Sequence, residues 1–62
     1  MKNNIGKLRK EKNITQLELA TLCNVTRQTI NAIENEKYDP TLKLAFDLAR
    51  VLDTTVDELF TP

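Results

Sequence analysis

The sequence predicts an all-α protein, a single compact domain of five short helices spanning residues 1–62. Only one glycine and two prolines interrupt the chain, and the alternation of apolar and polar residues that a half-buried strand needs is absent. Threonines stand where helices should begin. Apolar residues make up 40% and charged residues 29%, a globular balance in which helical periodicity is informative. A chain of this length has room for one modest core, and so small a core makes self-association a reasonable expectation.

The elements follow in order. A first helix is expected from Asn4 to Glu11 and a second from Gln16 to Cys23. The second is announced by Thr15-Gln16-Leu17-Glu18, a hydroxyl cap with a carboxylate three residues on, the spacing that satisfies orphan backbone donors reciprocally. Thr26 is the expected cap of a third helix, Arg27 to Asn35. Thr41 caps a fourth, Leu42 to Leu52, and follows Pro40, which cannot lie inside a helix. Thr54-Thr55-Val56-Asp57 repeats the hydroxyl and carboxylate spacing before a fifth helix, Thr55 to Phe60, with Asp57 as cap partner. On the fourth helix Leu42, Leu44, Ala45, Phe46, Leu48, Ala49, Val51 and Leu52 leave only the stripe Lys43, Asp47, Arg50 polar, so it should be the core element with apolar surface to spare. Val56, Leu59 and Phe60 extend that surface, and a homodimer interface is expected there.

Composition excludes much chemistry. There is no histidine and a single cysteine, Cys23, which removes disulfide frameworks, most zinc sites and His-dependent nucleophile pairs. No general base, nucleophile or metal set converges, so neither an enzyme nor a cofactor is expected. Cys23 should be a buried small hydrophobe. No leader-like segment opens the chain, and no apolar run approaches the roughly 20 residues of a membrane span; a cytoplasmic protein without membrane or small-molecule partner is expected. Net charge is zero, but residues 1–31 hold six basic against two acidic side chains and residues 32–62 hold three against seven. One basic face could therefore meet nucleic acid while the other side meets solvent or a second subunit.

Residues 14–33 carry the function. Leu22-Cys23-Asn24-Val25 is too tight for an antiparallel hairpin of helices and suits two helices crossing at about 90–120°. Ala20 should sit at their closest approach. Asn24 stands where the chain turns, since its short side chain tolerates the left-handed region. Val25, Ile30 and Ile33 should anchor the third helix, leaving Arg27, Gln28, Thr29, Asn31 and Asn35 outward. Arg suits guanine O6 and N7, while Gln and Asn suit adenine N6 and N7, and solvated helices usually carry Glu and Lys instead.

Ile14-Thr15-Gln16-Leu17-Glu18-Leu19-Ala20, Val25-Thr26-Arg27-Gln28-Thr29-Ile30, Ile33-Glu34-Asn35 and Tyr38-Asp39-Pro40-Thr41, in that order, resemble the Xre family of phage-repressor and Cro-like helix-turn-helix regulators. The likeness runs from about Ile5 to Phe60 and is greatest to small stand-alone members of the cytolysin-operon-repressor type. It implies a lambda-repressor-like domain that binds double-stranded operator DNA. It further implies base reading by Arg27, Gln28, Thr29 and Asn31, phosphate contacts from Gln16, Thr26, Asn35, Lys37 and Tyr38, and a structural ion pair of Arg9 with Glu34. Ala32 departs from relatives that carry a longer base-contacting side chain there. Relatives of the cytolysin-repressor type also continue past the position of Pro62 into a segment that joins two subunits, so dimer geometry does not transfer. The function expected is a sequence-specific transcriptional regulator, a repressor reading a palindromic operator; the alternative is an antitoxin or protein-interaction module whose DNA binding is autoregulatory.

Overall fold

The computed structural model describes every residue from Met1 to Pro62. Its elements run β1 (Lys2–Asn3), α1 (Ile5–Glu11), α2 (Gln16–Leu22), α3 (Arg27–Glu34), α4 (Leu42–Val51), α5 (Val56–Leu59) and β2 (Phe60–Thr61). The five helices come in the expected order, each slightly shorter than expected because the flanking residues serve as caps.

Threonine starts four of them. The hydroxyls of Thr15, Thr26, Thr41 and Thr55 accept from the backbone N–H of Glu18, Thr29, Leu44 and Glu58 respectively, each satisfying a donor with no partner inside the helix. At α2 the box is reciprocal, with Thr15 N–H donating to Glu18 Oε1 at 2.9 Å. These bonds from Thr15 hold the Glu18 carboxyl below its ordinary range. At α5 the cap lies one residue later than expected. Thr55 pairs with Glu58, and Asp57 takes no part, because the helix begins at Val56.

Four helices also end alike, without glycine. Asn13, Asn24, Glu36 and Asp53 have φ of 57, 58, 62 and 57°, and each is the second residue past its helix. The following N–H, of Ile14, Val25, Lys37 and Thr54, reaches back to the carbonyl of Arg9, Ala20, Ala32 and Ala49. This is the Schellman closure of orphan carbonyls, normally built on glycine because a Cβ is disfavoured in the left-handed region. Asn and Asp tolerate that region; Glu36 has no such excuse.

A two-stranded antiparallel pairing, not foreseen from the sequence, accompanies the five helices: Lys2 lies opposite Thr61 and Asn3 opposite Phe60. Strands of two residues from opposite ends of the chain have no period to read. They tie the termini together, and Asn3 Nδ2 donates to the Ile33 carbonyl at 2.9 Å, in the last turn of α3.

Thirteen apolar residues form one buried cluster. Leu59 is 0% exposed and Phe60 6%, with Val56 packed against the same cluster. Leu59 and Phe60 therefore have little surface to give a second subunit, because α5 and the strand pairing fold them into the chain's own core, while Val56 is half-buried beside them. The apolar excess on α4 lies elsewhere, at Leu42 (71% exposed) and Phe46 (59%).

One ion pair joins α1 to α3. Arg9 Nε and Nη2 donate to Glu34 Oε2 and Oε1 at 2.9 and 3.2 Å, while Nη1 donates to the Ile14 carbonyl at 3.0 Å. Both side chains are 12% exposed, so the charges are largely desolvated and the paired fork geometry matters. The chain's one glycine, Gly6, belongs here. A Cβ on it would stand 3.2 Å from Glu34 Oε1, which accounts for glycine inside a helix that it otherwise weakens.

Two consequences can be measured by urea denaturation. Glu36→Gly should stabilise the protein by about 0.5–1 kcal/mol, the relief of a left-handed Cβ less the flexibility glycine adds; a loss of stability would contradict this account of the α3 terminus. Arg9→Met should cost about 2–3 kcal/mol, somewhat under the full penalty for breaking a buried pair because some solvent reaches both groups. A cost below about 0.5 kcal/mol would show the pair to be surface decoration.

Candidate nucleic-acid interface

The α2 to α3 corner turns through Asn24, whose left-handed backbone lets Val25 N–H close on Ala20 O at 2.9 Å. Ala20 is 1% exposed, Ile30 0% and Ile33 1%, so the aliphatic side of α3 is seated against α2 and the core. That seating leaves Arg27, Gln28, Asn31 and Asn35 in solvent.

Four of the singled-out residues meet in one place. Gln16 at the start of α2 and Arg27, Gln28 and Asn31 on α3 are the only lining of an open cleft of about 240 Å³. It contains no apolar side chain, only amide donors and acceptors and one guanidinium, the groups that match base edges in the major groove. Thr29 is not among them. It is half-buried, its hydroxyl lies 3.0 Å from Thr26 Oγ1, and together with Tyr38 it borders a separate cleft over Cys23 and Val25. Lys37 and Tyr38 are exposed on the loop after α3.

A run of hydrogen bonds links the ion pair to this face. Gln16 Nε2 donates to Glu34 Oε1 at 3.2 Å, and Asn31 Nδ2 donates to Gln16 Oε1 at 3.4 Å. Asn35 Nδ2 donates both to the Asn31 carbonyl at 2.9 Å and to Asn31 Oδ1 at 3.1 Å. Sequence reasoning paired Arg9 with Glu34 but missed their extension to Gln16 and Asn35. The one available signal was the spacing of Asn31 and Asn35, four apart on a helix, where amide side chains meet.

Electrostatics separate the basic side chains. Lys43 and Arg50 both bond Asp47, at 2.9 and 3.1 Å, and the Lys43 bond is the chief reason the Asp47 carboxyl stays below its ordinary range. Arg9 is spent on Glu34. Arg27 and Lys37 enter no ion pair, so their charge is available at the interface. Cys23 is 5% exposed and burial pushes its thiol up, which makes it a packing residue without the thiolate that reactivity needs. No helix is long and apolar enough to cross a membrane.

Known proteins share this arrangement. A helix-turn-helix family model matches residues 5–59. An uncharacterized HTH-type transcriptional regulator of Methanocaldococcus jannaschii is 47% identical over 60 residues, 97% of this chain and 91% of that protein. Another, YgzD of Bacillus subtilis, is 35% identical over 97% of this chain and 91% of its own. Among solved structures, the restriction-modification controller protein C.AhdI of Aeromonas hydrophila superposes with a TM-score of 0.84 at 30% identity, covering 92% of this chain and 86% of that one. The SinR/SinI complex matches with a TM-score of 0.79 at 30% identity over 86% of this chain and 52% of that one. Family match, identity over nearly the whole length and the α2 to α3 geometry agree: the chain belongs to the helix-turn-helix family and is a DNA-binding transcriptional regulator.

Proposed function

We propose that the protein is a repressor that reads a palindromic operator in the cytoplasm as a two-fold homodimer, with α3 of each subunit in the major groove. The observation that carries this reading is the cleft of Gln16, Arg27, Gln28 and Asn31, polar throughout and presented by a helix whose other side is fully anchored. Arg27 has the fork for guanine O6 and N7; Gln28 and Asn31 have the paired donor and acceptor for adenine. Thr29, nearer the helix flank, can meet a thymine methyl or the backbone. Gln16, Thr26 and Asn35, with Lys37 and Tyr38 on the loop, serve as phosphate contacts, which set register without reading sequence.

A single short helix reads few base pairs, and two-fold symmetry doubles that number when recognition helices stand about one DNA turn apart. Exposed Leu42 and Phe46 offer apolar surface that association could cover. Occupying promoter DNA excludes other proteins by sterics alone, so repression requires no further part.

Operators selected from a random DNA pool test the reading. Selected sites should be inverted repeats. Gln28→Ala should cost on the order of 1–3 kcal/mol and relax one base position in each half-site, whereas Lys37→Ala should weaken all sequences alike and lower the salt slope by about one. Selective loss with Lys37→Ala, or uniform loss with Gln28→Ala, would reverse these roles. Sedimentation with operator should give two protein chains per duplex; one chain per duplex would remove the dimer.

A further inference from the structure

We infer that Asn35 is a positioning residue for base recognition: it fixes which way round Asn31 presents its amide, and so governs the base that Asn31 prefers without touching that base. The inference rests on Asn31 reading a base, as proposed above.

A primary amide can be turned over without changing its shape, exchanging a donor edge for an acceptor edge. Asn31 is held against that exchange from both sides. On one side, the Glu34 carboxylate only accepts hydrogen bonds, so the Gln16 atom 3.2 Å from it must be Nε2. Gln16 Oε1 is thereby turned toward Asn31 and selects its Nδ2, at 3.4 Å. On the other side, the Asn31 main-chain carbonyl also only accepts, so the Asn35 atom 2.9 Å away must be Nδ2. The same nitrogen lies 3.1 Å from the Asn31 side chain and selects its Oδ1. Acceptor-only groups at the two ends therefore impose one sense on Asn31, nitrogen toward Gln16 and oxygen toward Asn35.

Capacity for DNA remains. The Asn31 amide has two N–H donors and two lone pairs on its oxygen, and these bonds use one of each. The donor that remains is on the nitrogen held toward Gln16 and the acceptor that remains is on the oxygen held toward Asn35, in fixed order, on a side chain that lines the cleft. Adenine shows a donor at N6 and an acceptor at N7, so a fixed order accepts it in one orientation and opposes the reverse. The closer hold is the one from Asn35, and Asn35 is exposed and can be changed without opening the core.

The test is selection from a random DNA pool with the full chain and four variants, Asn31→Ala, Asn35→Ala, Asn35→Asp and Asn31→Ala with Asn35→Ala, each checked for folding by thermal unfolding. Asn31→Ala identifies the position that Asn31 reads. Asn35→Ala should reduce base preference at that same position, and Asn35→Asp should move it away from the original base, since a carboxylate cannot donate to Oδ1. The expected change in preference there is about 5- to 150-fold, the range for one bidentate contact. Phosphate repulsion by the new carboxylate lowers all sites together and leaves relative preference unaltered. In the Asn31→Ala background, Asn35→Ala should alter that position no further. If Asn31→Ala changes one position while both Asn35 variants weaken every site equally, Asn35 is a phosphate contact only and the inference fails. Should Asn31→Ala leave all positions unchanged, base reading by Asn31 falls and this inference with it.

Discussion

The charged contact between Arg9 and Glu34 is the constraint around which the DNA-facing side is arranged. A carboxylate that is 12% exposed must be satisfied by donors, and it collects them from two helices: the guanidinium of α1 and the amide of Gln16 on α2. Glu34 thereby binds α1, α2 and α3 at one point, and α3 cannot roll about its axis without abandoning those bonds. The aliphatic contacts of Ile30 and Ile33 hold α3 down without specifying its rotation so narrowly, because apolar packing is less directional than hydrogen bonding. Rotation decides which side chains face a groove.

Short helices need help at both ends. With seven or eight residues in each of α1, α2 and α3, many of the backbone groups are orphans, and isolated helices of that length are marginal in water. Threonine caps at the starts of α2 and α3 and Schellman closures at the ends of all three satisfy part of that need locally. The same device at Asn24 makes the sharp turn between α2 and α3. Helix termination and placement of the recognition helix are therefore a single backbone event.

Much of this was legible in the sequence. Cap spacing located the helices, the sharp turn at Asn24 was implied by its side chain, and the division of α3 into Ile30 and Ile33 against Arg27, Gln28 and Asn31 followed from helical period. Most of what was not legible comes from contact between residues far apart in sequence. The strand pairing of Lys2 and Asn3 with Phe60 and Thr61 leaves no local pattern, and without it Leu59 and Phe60 read as surplus surface. Their apolar character serves the chain's own core. Gly6 was likewise silent, since its reason is the nearby Glu34 side chain. Thr54 and Thr55 were ambiguous because adjacent threonines are each followed three residues later by a carboxylate, so spacing alone cannot choose between them.

The central claim is that the amide and guanidinium face of α3 enters the major groove, and methylation interference on a selected operator tests it most directly. Dimethyl sulfate marks guanine N7 in the major groove and adenine N3 in the minor groove. The account predicts that N7 methylation within each half-site blocks binding, and that Arg27→Ala abolishes the block at one guanine. Interference confined to adenine N3 would put the protein in the other groove and contradict the claim.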